Sequence, residues 1–210
     1  MSAARGTNLW YWTGYGLTRL IGRLLFGFRI VHRERRILSG PLILAMNHQS
    51  YLDPPFAGIA SGREVFFLAR KTLLDVPVLA WLLPKLNVVP VDQEGTDRSA
   101  LKALIRILKN GDATVVFPEG ARTLDGNLQP PLPGIGFVIA KTRAPVLPMR
   151  IFGAHEALPR GSNRLHFRKI TIVIGEVMHF TDADFAARGK DLYQQLSERV
   201  MSAVAALRME

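Results

Sequence analysis

The sequence predicts an α/β fold: a single domain with a mixed, mostly parallel sheet flanked by helices, plus an N-terminal amphipathic, membrane-associated helical segment. Three observations predict it. From residue 37 onward, apolar runs of strand length alternate with helical patterns, the arrangement that yields a sheet covered on both faces. The first 36 residues carry a basic, amphipathic pattern of their own. No repeat, low-complexity run or long linker divides the remainder, so the 210 residues read as a membrane-interface segment over 1–36 and one α/β domain over 37–210.

Taken in order, residues 9–31 predict an amphipathic helix. Trp10, Leu17, Leu20, Ile21, Leu24, Leu25, Phe28 and Val31 fall on one face, and Arg19, Arg23 and Arg29 on the other. Trp10, Tyr11, Trp12 and Tyr15 form an aromatic cluster at its start, suited to a headgroup boundary. Such a helix either lies in a membrane interface or packs as an ordinary surface helix on the domain. Gly14, Gly16, Gly22 and Gly27 each weaken it by about 1 kcal/mol relative to alanine, which contacts elsewhere must offset.

Residues 41–46 (PLILAM) predict a buried strand, as do 64–68, 87–91, 113–117 and 146–151. Residues 165–174 predict a longer strand with one exposed face. Helices are expected at 99–109, with Leu101, Leu104, Ile105 and Leu108 inward, at 134–142, and at 190–208. The last presents Leu192, Leu196, Val200, Val204 and Leu207 on its apolar side.

Composition narrows the function classes. There is no cysteine, which excludes a disulfide scaffold, thiolate metal ligands and a cysteine nucleophile. Hydrophobic residues make up 48% of the chain and mean hydropathy is +0.13, enough for a sizeable core. The net charge is +10, and residues 1–36 hold seven arginines against one acid, Glu34. A basic field attracts an anionic membrane or a nucleic acid. Its interleaving with tryptophan and leucine, and the absence of a nucleic-acid motif, favour membrane lipids. No run of about 18 uncharged apolar residues predicts a transmembrane span, and the N-terminus is a poor signal peptide. The expected location is therefore the cytoplasmic face of the inner membrane, peripheral or monotopic.

Two segments carry chemistry. Residues 47–53 (NHQSYLD) follow the strand PLILAM, and α/β domains display reactive groups at the carboxyl edge of their strands. Imidazole as a class titrates near neutrality, so His48 is the candidate general base. Asp53, five residues on, is placed to hold the far ring nitrogen and stabilise the imidazolium. Residues 117–122 (FPEGAR) follow another buried strand and should open onto the same edge. There Arg122, a glycine and free backbone N–H groups make a plausible phosphate site.

Together these segments resemble the glycerolipid acyltransferase family, whose best-known members are the 1-acyl-sn-glycerol-3-phosphate acyltransferases. All four sequence blocks of that family can be placed, in order: 47–53, 87–92 (NVVPVD), 117–122, and 144–149 (APVLPM), within a resemblance over roughly residues 40–180. The resemblance implies His48 and Asp53 as the catalytic pair, and Glu119, Gly120 and Arg122 as acceptor-binding residues. Acyl-CoA or acyl-carrier protein is the implied donor, a lysophospholipid the implied acceptor, with no metal, no cofactor and no nucleic-acid partner. Asn47 is expected to shape the turn. The apolar residues between Phe66 and Leu83 are expected near the acyl chain or membrane, most of them as ordinary core.

One departure bears on the acceptor. The family's second block usually ends in Asp-Arg, the arginine being associated with the acceptor phosphate, whereas here Gln93 follows Asp92. Arg98 or Lys85 then substitutes in space, or Arg122 carries the recognition, or the acceptor is another lyso-lipid such as lyso-ornithine lipid. Two other classes compete: a serine hydrolase using Ser50, although no GxSxG elbow is present, and a non-enzymatic basic membrane binder. Gly134-Ile135-Gly136 does not extend to a dinucleotide fingerprint. His32, His155, His166 and His179 lie outside any motif and read as structural or surface residues.

Overall fold

The computed structural model describes residues 7–91 and 98–209. Its centre is the strand β2 (Leu42–Met46), every residue of which is buried. Alternation along a strand sends successive side chains to opposite faces. Leu42, Leu44 and Met46 accordingly join one core with helices α1 (Leu9–Phe26) and α2 (Asp53–Ser61), built around Phe26, Phe56 and Ile59. Ile43 and Ala45 join a second core, against α4 (Arg98–Lys109), α5 (Gly134–Thr142) and α7 (Gly189–Ala206), lined by Leu104, Val138 and Leu196.

The main sheet contains β1 (Arg29–Val31), β5 (Ala113–Val116), β6 (Val146–Phe152) and β7 (Thr171–Ile174) beside β2, in the order β1-β7-β6-β2-β5. Only the β6–β7 pair is antiparallel. A parallel pair, β3 (Phe67–Arg70) and β4 (Val88–Val91), adjoins β5 through the bridge between Phe66 and Thr114. Between them, α3 (Pro77–Leu82) crosses back along the surface, and α6 (Ala154–Ala157) follows β6. The mixed, mostly parallel sheet flanked by helices agrees with the expectation.

The N-terminal segment departs from its expectation in two ways. The helix ends at Phe26 because Gly27 adopts a left-handed conformation (φ 51°), and Arg29–Val31 then pairs in parallel with β7. Moreover, the packed face is not the aliphatic one. Tyr11, Gly22 and Phe26 are buried, whereas Leu17 is 58% exposed and Leu24 72%. The aromatic hydroxyls explain the choice: Tyr11 donates to the Arg63 carbonyl (3.1 Å) and Tyr15 to that of Ile59 (3.3 Å), anchoring α1 along α2. Asn8 caps the helix by accepting from the Tyr11 N–H at 3.2 Å.

Two further expectations are revised. The strand at 165–174 shortens to Thr171–Ile174, because β6 ends opposite Thr171 and offers no partner beyond it. The apolar stretch from Phe66 to Leu83 is core only at its start, where Phe67 and Leu68 pack partly buried against the two cores. None of those residues is fully buried, and Val78 (69%) and Trp81 (55%) stand out in solvent. Gln93 lies outside the described residues. The Lys85 ammonium sits 3.4 Å over the Trp81 ring, beside the N-terminal end of α1.

Candidate active site

β2 and β5 run parallel with Ala45 opposite Val116, so the segments that follow them emerge side by side at one edge of the sheet. The first residue past β2 fastens this edge. Asn47 donates to the Ile151 carbonyl (3.1 Å) and accepts from the Ile151 N–H (2.8 Å), tying the turn to β6. It therefore shapes the turn.

His48 Nδ1 lies 2.8 Å from Asp53 Oδ2. Asp53 is the first residue of α2 and is wholly buried. Its Oδ2 also accepts the backbone N–H groups of Gln49 (2.5 Å) and Ser50 (2.7 Å), while Oδ1 is buried without a partner. A carboxylate gripped this way orients the ring. Phe117 stacks on the His48 ring, with centroids 3.9 Å apart and planes 15° from parallel. With Nδ1 committed to Asp53 and one ring face covered, the His48 side chain is still 18% exposed, leaving Nε2 as the group for an incoming hydroxyl.

The Glu119 carboxylate is held by two backbone groups. One carboxylate oxygen accepts the His48 N–H (2.9 Å) and the other the Gln129 N–H (3.1 Å). It is 7% exposed, so it braces the catalytic turn against the following loop instead of reaching outward. Burial pushes its carboxyl up to about 7 even though both backbone bonds pull the other way. Gly120 adopts φ +72°, and a Cβ there would stand 2.4 Å from Leu132 Cδ1. Only glycine fits without strain.

Arg122 is held close to His48, since the next residue, Thr123, donates its N–H to the His48 carbonyl at 2.9 Å. Its guanidinium lies 3.5 Å over the Tyr51 ring, and its Nη1 is buried without a hydrogen-bond partner. An arginine nitrogen shielded from water and left unpaired is suited to a phosphate or carboxylate oxygen. Tyr51 and Phe117 are the residues of this site that the sequence did not single out. Both lie within the motifs, but only the fold shows which partner each ring meets. If Tyr51 positions Arg122, Tyr51→Ala should raise the acceptor KM by about 5- to 30-fold, a cation–π contact of about 1–2 kcal/mol. Tyr51→Phe should restore it, and an acceptor KM unchanged in Tyr51→Ala would refute the pairing.

Ser50 is wholly buried and donates to the Leu158 carbonyl at 2.8 Å. It is therefore a structural pin of this loop and not an exposed nucleophile.

A sequence model described as Acyltransferase matches residues 28–152. The chain is 29% identical to a chloroplastic 1-acyl-sn-glycerol-3-phosphate acyltransferase of Brassica napus, over 69% of this chain and 42% of that protein. It is 27% identical to the 1-acyl-sn-glycerol-3-phosphate acyltransferase of Bacillus subtilis, over 80% of this chain and 81% of that one. It thus spans about two fifths of its plant relatives (42% and 41%) but most of the bacterial one. The crystal structure of the 1-acyl-sn-glycerophosphate (LPA) acyltransferase PlsC from Thermotoga maritima superposes with a TM-score of 0.77 at 25% identity, covering 95% of this chain and 81% of that one. With the match extending over more than half its length and including both the histidine and the arginine segments, this chain belongs to the acyltransferase family.

Proposed function

We propose that this chain moves a fatty acyl group from acyl-CoA or acyl-carrier protein to the free hydroxyl of a lysophospholipid, 1-acyl-sn-glycerol-3-phosphate, giving phosphatidic acid. The observation that carries this reading is the dyad: a His48 ring held through Nδ1 by buried Asp53, with its other nitrogen available next to an arginine whose Nη1 lacks a partner. His48 Nε2 takes the proton of the acceptor hydroxyl as the oxygen attacks the thioester carbonyl. Asp53 stabilises the imidazolium so formed. The tetrahedral adduct collapses with cleavage of the C–S bond, and the proton on His48 passes to the departing thiolate. Arg122 receives the acceptor phosphate. The reaction as written needs neither metal nor cofactor, and no acyl-enzyme forms because the acceptor is itself the nucleophile.

Alignment of two bound substrates contributes alongside the base, and a surface that meets lipid supplies that alignment. The outer faces of α1 and α3 expose Leu9, Leu17, Leu20, Leu24, Val78 and Trp81, joined where Trp10 packs edge-on against Trp81 at 5.2 Å. Scattered apolar residues are normal on a surface, but a continuous patch of this kind marks an interaction face. Among the described residues no helix is long and apolar enough to cross a membrane, so the helix lies along the interface in this reading. Deleting residues 1–31 would remove β1 and Phe26 and so confound anchoring with folding. The cleaner prediction uses Leu20→Ser with Leu24→Ser, which should release most of the protein from sedimented membranes at an unchanged thermal midpoint. Membrane retention equal to wild type would rule the face out as the anchor.

The activity itself is tested with the purified chain, labelled acyl-CoA and acyl-carrier protein, and a panel of lyso-acceptors that includes lyso-ornithine lipid. Phosphatidic acid formed only with 1-acyl-sn-glycerol-3-phosphate is the expected result. Preference for another lyso-lipid would move the acceptor assignment. Fatty acid release without any acceptor, lost in Ser50→Ala, would replace transfer by hydrolysis.

A further inference from the structure

A second cluster of arginines lies away from the dyad. Arg19 and Arg23 of α1 meet Arg33 and Arg36, which follow β1, around a groove of about 140 Å³ closed by Tyr15, Phe28, Ile30 and Ile59. No acidic side chain lines it among the described residues. The contrast with the adjacent Arg35, which pairs with Glu176 at 2.8 Å, is direct. Arg36 is rigidly set: its Nε donates to the Ala60 carbonyl (2.8 Å) and one Nη to that of Ile59 (3.1 Å), at the last turn of α2. Burial pulls Arg36 below the usual arginine range, and the nearby Arg19 and Arg33 guanidinia pull it the same way. Gathering like charges without a counter-charge is unfavourable unless an anion completes the set.

We infer that this groove binds the phosphate of an anionic phospholipid headgroup, at a site separate from the acceptor phosphate site at Arg122. Three features of the fold select that ligand. Asp53 opens α2 and Arg36 fastens its far end, so a nine-residue helix, roughly 13 Å long, separates the groove from the dyad. The groove, at about 140 Å³, has room for one phosphate group. Arg19 and Arg23 lie on α1 between its packed side, at Tyr15 and Gly22, and its exposed leucines at 20 and 24, where headgroups flank an interfacial helix. A headgroup captured there would set the rotation of α1 about its own axis, and with it the angle at which the catalytic edge faces lipid. The inference deepens the membrane reading above and rests on it only for the source of the phosphate.

The test compares the full chain with the triple variant Arg19→Gln, Arg23→Gln, Arg33→Gln, which spares the helix-capping Arg36. A charge-matched control, Lys102→Gln, Arg106→Gln, Lys109→Gln, removes the same charge from exposed positions of α4. Binding is read by co-sedimentation with phosphatidylcholine vesicles, with and without about one third phosphatidylglycerol. At about fivefold per surface arginine, the triple variant should lose on the order of a hundredfold of the preference for anionic vesicles. Binding to neutral vesicles and the thermal midpoint should be kept. A preference retained in the triple variant, or lost equally in the control, overturns the site. Titration with short-chain, water-soluble phosphatidylglycerol separates the two readings. Saturable binding that needs the three arginines, with no vesicle binding, keeps the site and removes the membrane platform. No binding to either form, or equally tight binding of inorganic phosphate, overturns the headgroup assignment.

Discussion

His48→Ala is expected to lower the rate of acyl transfer by at least about 10²–10⁴-fold while leaving the fold intact, because in the proposed mechanism the ring is the general base. The backbone N–H that Glu119 grips is unaffected by truncating the ring, and the ring itself is partly exposed. Asp53→Asn probes the same pair from the buried side. The amide oxygen can still accept from His48, Gln49 and Ser50, as Oδ2 does now, but the charge facing the imidazolium is gone. A loss of about 10⁴-fold in kcat is expected, as when a triad loses its aspartate charge. The new amide nitrogen would occupy the buried position where Oδ1 has no partner, adding about 1–3 kcal/mol of destabilisation. Both variants should be assayed in single turnover beside circular dichroism. Turnover within a few-fold of wild type in His48→Ala would sink the mechanism. The same outcome in Asp53→Asn would reduce Asp53 to orientation alone.

The second large effect is expected at Glu119, and it falls on stability. The carboxyl is raised from 4.5 to about 7 by burial in the folded chain. Between those values the folded state holds a proton that the unfolded state has released, so the unfolded chain binds fewer protons and stability falls as pH rises through the window. Wild type should therefore lose stability from about pH 5 to pH 7, in addition to contributions from other groups. Glu119→Gln cannot titrate and should remove that part of the slope. Its amide nitrogen must face either the His48 or the Gln129 N–H, donor against donor, which costs about 1–3 kcal/mol. Urea denaturation of both proteins at several pH values decides the matter. The deficit of the variant should be largest near pH 5 and shrink by pH 8, and a pH slope equal to wild type would contradict the assignment. Activity should also drop, since the brace that Glu119 provides ends on His48.

Much of the site was legible because its parts are local. PLILAM reads as a buried strand from composition alone, and its five core residues are all inaccessible. His48 and Asp53 are five apart on a turn and opening helix, close enough in the chain for the pairing to be read without knowing the fold. Glu119 and Arg122 were visible as residues, but not the partners that hold them. The carboxylate gives itself to two backbone groups, 71 and 10 residues away, and the arginine finds a ring that belongs to the other motif.

The N-terminal segment marks the boundary most clearly. The sequence by itself determined that an amphipathic helix with a stripe of leucines begins near residue 9, though not that it ends at Phe26, because helical periodicity is a property of the chain alone. Which stripe turns inward was a tertiary decision. Tyr11 and Tyr15 have hydroxyls that need carbonyl partners, and these come from Ile59 of α2 and from Arg63 just beyond its end, so the aromatic side packs and the leucines face out. Likewise, Arg19, Arg23, Arg33 and Arg36 were countable as charge, but only the docking of α1 along α2, where Arg36 is also fastened, brings them around one groove. Periodicity, turn chemistry and charge are written locally. The choice among faces and the company each side chain keeps depend on contacts between elements far apart in the chain.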